Sequence, residues 1–307
     1  MKEKSKLGLY IQAFRVNQWV KNLVIFTAII FSGELFNPHA FSQSVYAFFA
    51  FCILSSTSYL LNDLIDYPYD RKHPHKKDRP IASGGLSLQE ATFTVFVMTL
   101  ISLILALFFS IKFFFLALLF ILLHFFYSLY LKRYPVVDIF SISISFMIRA
   151  FAGEVATGFH IPIWLTFTIF FGSLFIATVK RDAEFAATGS ETRRSLKDYK
   201  EHLLDFLTTT FATTTIIAYS FYTYFEQVSF VKTPFSKIFN QLLPSFEARK
   251  WLMVTIPFVV YGIARYAQLL YDRQEGERPE NIITRDKPLM TSIVFWATTV
   301  ILLLYIL

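Results

Sequence analysis

Long apolar blocks recur along the whole chain and constrain its fold more than any other feature. Each block approaches the roughly 20 residues that an α-helix needs to cross a bilayer. Helices are the expected spanning structure, because hydrocarbon offers no partner for an unpaired backbone N–H or C=O group. The pattern predicts an all-α, polytopic membrane protein with about nine transmembrane helices. The predicted spans are residues 19–36, 42–61, 91–110, 113–131, 138–158, 162–179, 206–225, 251–271 and 288–307.

Composition excludes several other classes of protein. Hydrophobic residues make up 55% of the chain and include 37 phenylalanines, which excludes an ordinary soluble domain. The single cysteine, Cys52, lies inside an apolar block, so neither a disulfide framework nor a cysteine metal cluster is available. The N-terminal sequence MKEKSKLGLY lacks a compact apolar region followed by a small-residue cleavage site, so we predict no removable signal peptide.

Lysine and arginine are distributed unevenly among the loops. Most of the 29 lie before the first span or in the segments that follow spans two, four, six and eight. By the positive-inside tendency these segments and the N-terminus face the cytoplasm, and an odd number of spans leaves the C-terminus outside. Topology and anionic lipid thus explain the net charge of +7, and we predict no nucleic-acid partner. We expect an integral protein of a bacterial inner membrane.

The second span ends in a highly charged segment, LNDLIDYPYDRKHPHKKDRPIASG, at residues 61–84. Its first acids and one amide are spaced by three or four residues, so a helix would place their oxygens on one face. Such oxygens suit Mg2+, which proteins bind through one or two carboxylates together with substrate phosphates. Pro68 disfavours helix in the residue before it, so we expect a kink or a helix end before Asp70. The predicted metal ligands are Asn62, Asp63, Asp66 and Asp70, and the three aspartates are the predicted catalytic residues.

The bases that follow these acids predict an anion site. Lysine and arginine side chains beside a metal can hold a diphosphate and stabilise it as it leaves. His73 and His75 do not indicate zinc, because no further histidine or cysteine follows at ligand spacing. The alternative is a solvated, charge-balanced loop end. Residues 87–90, SLQE, form a capping-box pattern at the start of span three. The predicted phosphate-binding bases are Arg71, Lys76 and Arg79.

Charged residues at or inside other spans extend the predicted site. An ionisable group near mid-membrane costs about 2.5–3.5 kcal/mol on insertion scales, so Arg149 should face a polar cavity or an acid. We predict that Arg149 contacts an anionic substrate, the alternative being a structural pair with Glu154. Lys21 and Lys132 are also predicted substrate contacts, the alternative being interfacial anchors whose aliphatic stems snorkel.

The segment after span six is a second charged locus. Lys180 and Glu184 lie on one face of a helix, with Arg181 beside them. We predict that these three residues bind a metal or a phosphate group of the substrate. The bases further along, in residues 193–200, are typical of a solvated amphipathic piece.

These motifs resemble those of a known family. NDLIDYPYD resembles the first aspartate-rich motif of the UbiA superfamily of intramembrane prenyltransferases: Asn-Asp, two residues, Asp, three residues, Asp. Four further stretches are similar to the decaprenyl-phosphate phosphoribosyltransferase branch. They are RVNQWVKN at 15–22, DRKHPHKKDRPIASG at 70–84, KRDAE at 180–184 and PENIITRDKPL at 279–289.

The resemblance implies both a fold and a reaction. It implies one transmembrane domain over residues 1–307, with a central cavity open to the cytoplasmic side and the membrane, and active-site loops at about 62–90 and 180–205. It implies Mg2+-dependent transfer of 5-phosphoribosyl from phosphoribosyl diphosphate to a polyprenyl phosphate lipid, with release of diphosphate. Catalysis would come mainly from positioning and from stabilisation of the leaving diphosphate, because the lipid phosphate is already a nucleophile.

Two other functions remain open from the sequence. The second locus has bases and one acid where many aromatic prenyltransferases have another run of aspartates, which favours a multiply phosphorylated donor over a prenyl diphosphate. The first alternative is nevertheless an aromatic prenyltransferase that uses a polyprenyl diphosphate donor. The second is a nonenzymatic membrane carrier or cation channel, in which the acids would select ions.

The metal assignment predicts the effect of one substitution. Asp66→Asn removes a charged ligand with little change in volume, so we expect most turnover to be lost while the protein stays folded in detergent. Turnover measured at saturating Mg2+, with size-exclusion chromatography as the folding control, checks this expectation. Near-normal turnover would remove Asp66 from the site.

Overall fold

The structure is a computed structural model that describes residues 5–72, 76–188, 201–226, 248–272 and 286–306. All regular elements in these ranges are helices, which confirms the all-α prediction. Three short 3-10 helices accompany a longer one at Val16–Phe26. The α-helices are α1 (Lys6–Phe14), α2 (Thr27–Phe31), α3 (Pro38–Asp70), α4 (Leu88–Phe109), α5 (Ile111–Leu129), α6 (Val137–Thr157), α7 (Ile163–Thr188), α8 (Glu201–Phe225), α9 (Ile256–Asp272) and α10 (Lys287–Tyr305).

Seven helical segments in these ranges are long and apolar enough to cross a membrane, so the chain is an integral membrane protein. Two of the nine predicted spans are not among the seven. The span predicted at 19–36 is the 3-10 helix Val16–Phe26 followed by the five-residue α2. The span predicted at 206–225 lies in α8, whose many threonines lower its hydropathy. The count of nine therefore stays a prediction.

The chain folds as two compact units. Unit 1 comprises Met1–Phe26 and Ser42–Gly158, and it contains all the predicted site residues up to Arg149. Its apolar core includes the rings of Phe51, Phe113 and Phe120. Phe51 meets the other two edge to face, at 5.7 and 5.3 Å between ring centroids. This geometry is favoured because the positive edge of one ring faces the negative face of the next.

Unit 2 comprises Thr27–Phe41 and Phe159–Leu307, and α7 packs along α8 within it. Buried hydroxyls connect its other helices. The Tyr219 hydroxyl accepts a 2.8 Å bond from Trp296 Nε1 and lies 2.6 Å from Thr255 Oγ1. The Tyr305 hydroxyl bonds the carbonyl of Ile30 at the end of α2. These bonds satisfy polar groups that a membrane interior would otherwise leave unpaired.

The end of α3 differs from the expectation. The helix continues through Pro68 to Asp70, so a helix end before Asp70 is wrong, while the alternative of a kink stays a prediction. The backbone N–H of Arg71 still bonds the carbonyl of Tyr67 at 3.3 Å, which keeps the last turn closed. Proline removes one helical donor, but tertiary contacts to Asp70 hold the turn in place. The predicted capping box is confirmed, since Ser87 and Glu90 exchange both of its hydrogen bonds.

Helix α6 approaches the 3-10 helix Val16–Phe26 very closely at Gly153. A Cβ atom added to Gly153 would lie 1.9 Å from the carbonyl oxygen of Ile25. Backbone atoms cannot move aside as a flexible side chain can, so only glycine fits here. The contact fixes the position of Val16–Phe26 along the axis of α6. This 3-10 helix carries Lys21, a predicted substrate contact.

Gly153→Ala tests this close approach. We expect the substitution to lower the free energy of unfolding by about 1–3 kcal/mol, because the methyl group overlaps backbone. Gly262→Ala in α9 is the matched control, since no atom lies within 4 Å of its added Cβ. Thermal unfolding in detergent is the measurement, and equal melting temperatures for the two variants would contradict the prediction.

Candidate active site

The candidate site begins at the C-terminal end of α3, where the acidic motif lies in the last two turns. Asp63 and Asp70 are buried, with exposed fractions of 3% and 4%. Asp66 and Asn62 are only partly buried, and the Asn62 amide donates a 3.0 Å bond to Asp66 Oδ2. Burial disfavours a charged carboxylate unless a cation or a donor compensates it. Each of the three acids has such a partner, and the partners come from three separate parts of unit 1.

Arg79 connects two of the acids. Its Nη1 atom lies 2.9 Å from Asp63 Oδ1 and 2.7 Å from Asp70 Oδ2. A compact turn presents this side chain: the Leu86 N–H bonds the carbonyl of Pro80 at 2.9 Å, and Gly84 takes a positive φ of 81°. The RPIASG motif therefore serves to aim Arg79 at the acidic end of α3.

Arg15 is a second partner of Asp63. Its Nη2 atom lies 2.5 Å from Asp63 Oδ1, and its guanidinium stacks 4.9 Å from the ring centroid of Tyr59. Arg15 ends α1 in the left-handed conformation, with φ 48° and ψ 53°. The sequence reasoning did not assign Arg15 to the site, although the RVNQWVKN stretch that begins with it was the available signal.

Lys132 holds the third acid. It lies on the 3-10 turn Leu131–Arg133 after α5, and its ammonium group is 2.5 Å from Asp66 Oδ1 and 3.2 Å from Asn62 Oδ1. This pairing places Lys132 beside the acidic motif, and its contact with substrate stays a prediction. The side chain of Lys132 is only 13% exposed, which differs from the alternative of an interfacial anchor that reaches out to the membrane surface.

The predicted metal ligands form two groups around basic atoms. Asp63 and Asp70 face Arg79, while Asn62 and Asp66 face Lys132. Across the described ranges, no three His, Cys, Asp or Glu side chains converge as a metal-binding group. Each group nevertheless offers two oxygen donors around a single cationic nitrogen, and carboxylate and amide oxygens are the donor chemistry that Mg2+ requires. The residues therefore fit a divalent cation by donor type.

Other predicted bases surround this cluster with less direct contacts. Lys76 lies close enough to Asp70 to stabilise its charge. Arg71 is exposed and bonds the hydroxyl of its helical neighbour Tyr67 at 3.1 Å. Lys21 is half-buried on Val16–Phe26. His73 and His75 lie outside the described residues.

Arg149 is buried at 3% exposure, and its partners are neutral. Its Nε donates a 2.7 Å bond to Asn22 Oδ1, and its Nη1 donates to the carbonyl of Ser145 at 2.8 Å. Its guanidinium also faces the Phe120 ring at 4.6 Å, a favourable cation–π distance. The bond to Asn22 thus ties α6 to Val16–Phe26, and Asn22 was not among the residues predicted from the sequence. Asn22 is the last residue of the RVNQWVKN stretch, which was the available signal in the sequence.

The second predicted locus lies in unit 2, on α7. Arg181 is 2% exposed, and its Nη1 atom lies 2.5 Å from Glu184 Oε2. An ion pair thus joins Glu184 to Arg181, three residues earlier on the same helix. The rest of the predicted 180–205 loop falls largely outside the described residues.

Comparison with known proteins identifies the family. The UbiA prenyltransferase family model matches residues 23–282. The chain belongs to the UbiA prenyltransferase family. A solved UbiA homolog from Archaeoglobus fulgidus, bound to GPP and Mg2+, has the same fold: the TM-score is 0.69 over 96% of this chain and 99% of that one, at 19% identity.

Curated relatives of this UbiA family chain are similar over nearly its whole length. The decaprenyl-phosphate phosphoribosyltransferase of Corynebacterium glutamicum is 32% identical over 96% of this chain and 86% of that protein. The enzyme of the same name from Mycolicibacterium smegmatis is 32% identical over 97% of this chain and 92% of that protein. The chain is therefore an enzyme, a transferase of the UbiA family.

Arg79→Gln tests the ion pairs at the end of α3. The variant leaves two buried carboxylates without a shared cation, so we expect a loss of about 3 kcal/mol in unfolding free energy. Arg71→Gln is the matched control, because Arg71 is exposed and should change stability by no more than about 0.5 kcal/mol. Thermal unfolding without substrates is the measurement.

A compensating variant sharpens the same test. Adding Asp70→Asn to Arg79→Gln removes one of the two buried charges, so most of the lost stability should return. An Arg79→Gln protein as stable as Arg71→Gln, or a double variant less stable than Arg79→Gln alone, would contradict the pairing.

Proposed function

We propose that this enzyme transfers 5-phosphoribosyl from phosphoribosyl diphosphate to a polyprenyl phosphate lipid, releasing diphosphate. In this reaction a lipid phosphate oxygen forms the bond to the anomeric carbon as the bond from that carbon to the diphosphate breaks. The observation that carries the proposal is the interleaving of three aspartates with Arg15, Arg79 and Lys132 at one end of α3. The names of the curated relatives support the choice of donor and acceptor.

Acids and bases in this arrangement have complementary roles. Asn62 and Asp66 on one side, and Asp63 and Asp70 on the other, would hold Mg2+, which when bound neutralises the diphosphate and stabilises it as it leaves. Arg79 and Lys132 would contact phosphate oxygens, as charge-assisted hydrogen bonds from guanidinium and ammonium groups favour. Arg15, already stacked on Tyr59, would keep Asp63 ionised and oriented.

The more peripheral bases would extend the anion site. Arg71 and Lys76 lie at the edge of the acidic cluster. We propose that they bind the phosphate groups of the donor, together with Lys21. We further propose that Lys180, Arg181 and Glu184 bind a metal or a phosphate group of the substrate. We also propose that the chain has nine spans and works as a single UbiA-like domain with a cavity open to the cytoplasm and to the membrane.

Arg149 receives a different role from the one predicted. Its guanidinium donates to Asn22 and Ser145. We propose that it positions Val16–Phe26, and with it Lys21, by way of Asn22. Direct contact with an anionic substrate would require these bonds to be given up in a nearly water-free environment, which is costly.

The substrates of the purified enzyme can be tested directly. With Mg2+ and decaprenyl phosphate, labelled phosphoribosyl diphosphate should give a lipid-extractable labelled product, and chelation of the metal should abolish it. Asp78→Asn is a matched control for Asp66→Asn, because Asp78 is an exposed neighbour of the cluster and should keep near-normal turnover.

The result that would overturn the proposal is specific. It is turnover of a polyprenyl diphosphate with an aromatic acceptor and no formation of lipid-linked ribose. That outcome would establish the alternative prenyltransferase. Flux of substrate across liposomes without either product would establish a carrier.

A further inference from the structure

A shallow groove lies between α9 and α10 in unit 2, outside every residue assigned to the proposed active site. Its volume is about 540 Å3. Small hydroxyl residues and aromatic rings line it, with one lysine at its end. The residues that matter for what it binds are Phe258, Tyr261, Lys287, Thr291, Ser292 and Phe295.

The depth of the groove follows from the order of residues along α10. Thr291 and Ser292 are small and lie between Lys287 and Phe295. Ser292 Oγ donates a 3.2 Å bond to the carbonyl of Phe258, which draws the two helices together below the groove. The rings of Phe258 and Phe295 stack with 6.3 Å between centroids and 22° between planes. Parallel rings form a flat apolar wall, against which an extended hydrocarbon chain can lie.

Charge is confined to one end of the groove. Lys287 is the first residue of α10 and is exposed. Its neighbour Asp286 is engaged by Arg265, whose Nη2 atom lies 2.9 Å from Asp286 Oδ2. No ion pair of Lys287 occurs in the described part of the chain, and its exposed side chain lines the end of the groove. By the distribution of lysine and arginine, this end of α10 is predicted to face the cytoplasm, where the leaflet is rich in anionic lipid.

We propose that this groove is a binding site for an anionic glycerophospholipid. One acyl chain lies against Phe258 and Phe295, and the phosphodiester pairs with Lys287. The single positive charge of Lys287 matches the single negative charge of a phosphodiester. The terminal phosphate of a polyprenyl phosphate carries about 1.5–2 negative charges at neutral pH, so it matches one lysine less well. The hydroxyls of Tyr261 and Thr291 can donate to the ester carbonyls of the lipid. The site is independent of the transferase reaction.

Native mass spectrometry of the detergent-solubilised full chain tests the proposal. The protein is titrated separately with phosphatidylglycerol, phosphatidylcholine and decaprenyl phosphate. We expect one saturable phosphatidylglycerol adduct that forms in preference to phosphatidylcholine. Lys287→Gln should weaken it about fivefold, the usual effect of one basic residue near an anionic lipid.

Two further variants separate the groove from general surface charge. Thr291→Trp fills the groove and should abolish the adduct, while Lys287 remains. Lys112→Gln is the matched control, because Lys112 is an exposed lysine in the first turn of α5 and lies outside the groove, and it should leave binding unchanged.

Three outcomes would overturn the proposal. The first is equal binding of phosphatidylglycerol and phosphatidylcholine. The second is an equal loss in Lys287→Gln and Lys112→Gln. The third is displacement of the phosphatidylglycerol adduct by a lower concentration of decaprenyl phosphate, which would make the groove a site for that lipid.

Discussion

Arg79 and the two buried carboxylates that it joins are the interaction on which the rest of the site depends. Asp63 and Asp70 are almost fully removed from water, and Nη1 of Arg79 contacts both. Without a cation, two such carboxylates would repel each other and resist ionisation. Their ion pairs therefore determine where the 79–86 turn must lie, and they hold the end of α3 in helical form past Pro68.

The same constraint extends to the parts of unit 1 that approach α3. Arg15 reaches Asp63 from the end of α1, and Lys132 reaches Asp66 from the turn after α5. Segments distant in sequence are thus joined at one place by opposite charges in a poorly hydrated setting. A charged ligand can exploit such an arrangement, because the cations that neutralise the acids are also phosphate-binding groups.

Arg149 shows a different way to keep a charge inside a membrane protein. It is surrounded by an amide, hydroxyls and aromatic rings, with Asn22 as the central acceptor. Neutral donors and acceptors satisfy the guanidinium, and the close contact at Gly153 packs the same two elements together. For the site, the effect of Arg149 is therefore to position and pack Val16–Phe26 against α6, and not to neutralise an acid.

The sequence determined that the protein lies in a membrane. It also determined the all-α class, the family and the residue types of the acidic motif. It did so because apolar blocks of membrane length and the spacing of Asn62, Asp63, Asp66 and Asp70 are local properties of the chain. Only the tertiary structure decided which base meets which acid, because those pairs join residues 9 to 66 positions apart. For the same reason Arg15 and Asn22 were missed, and α3 continued through Pro68. Local propensity does not include the free energy of distant partners.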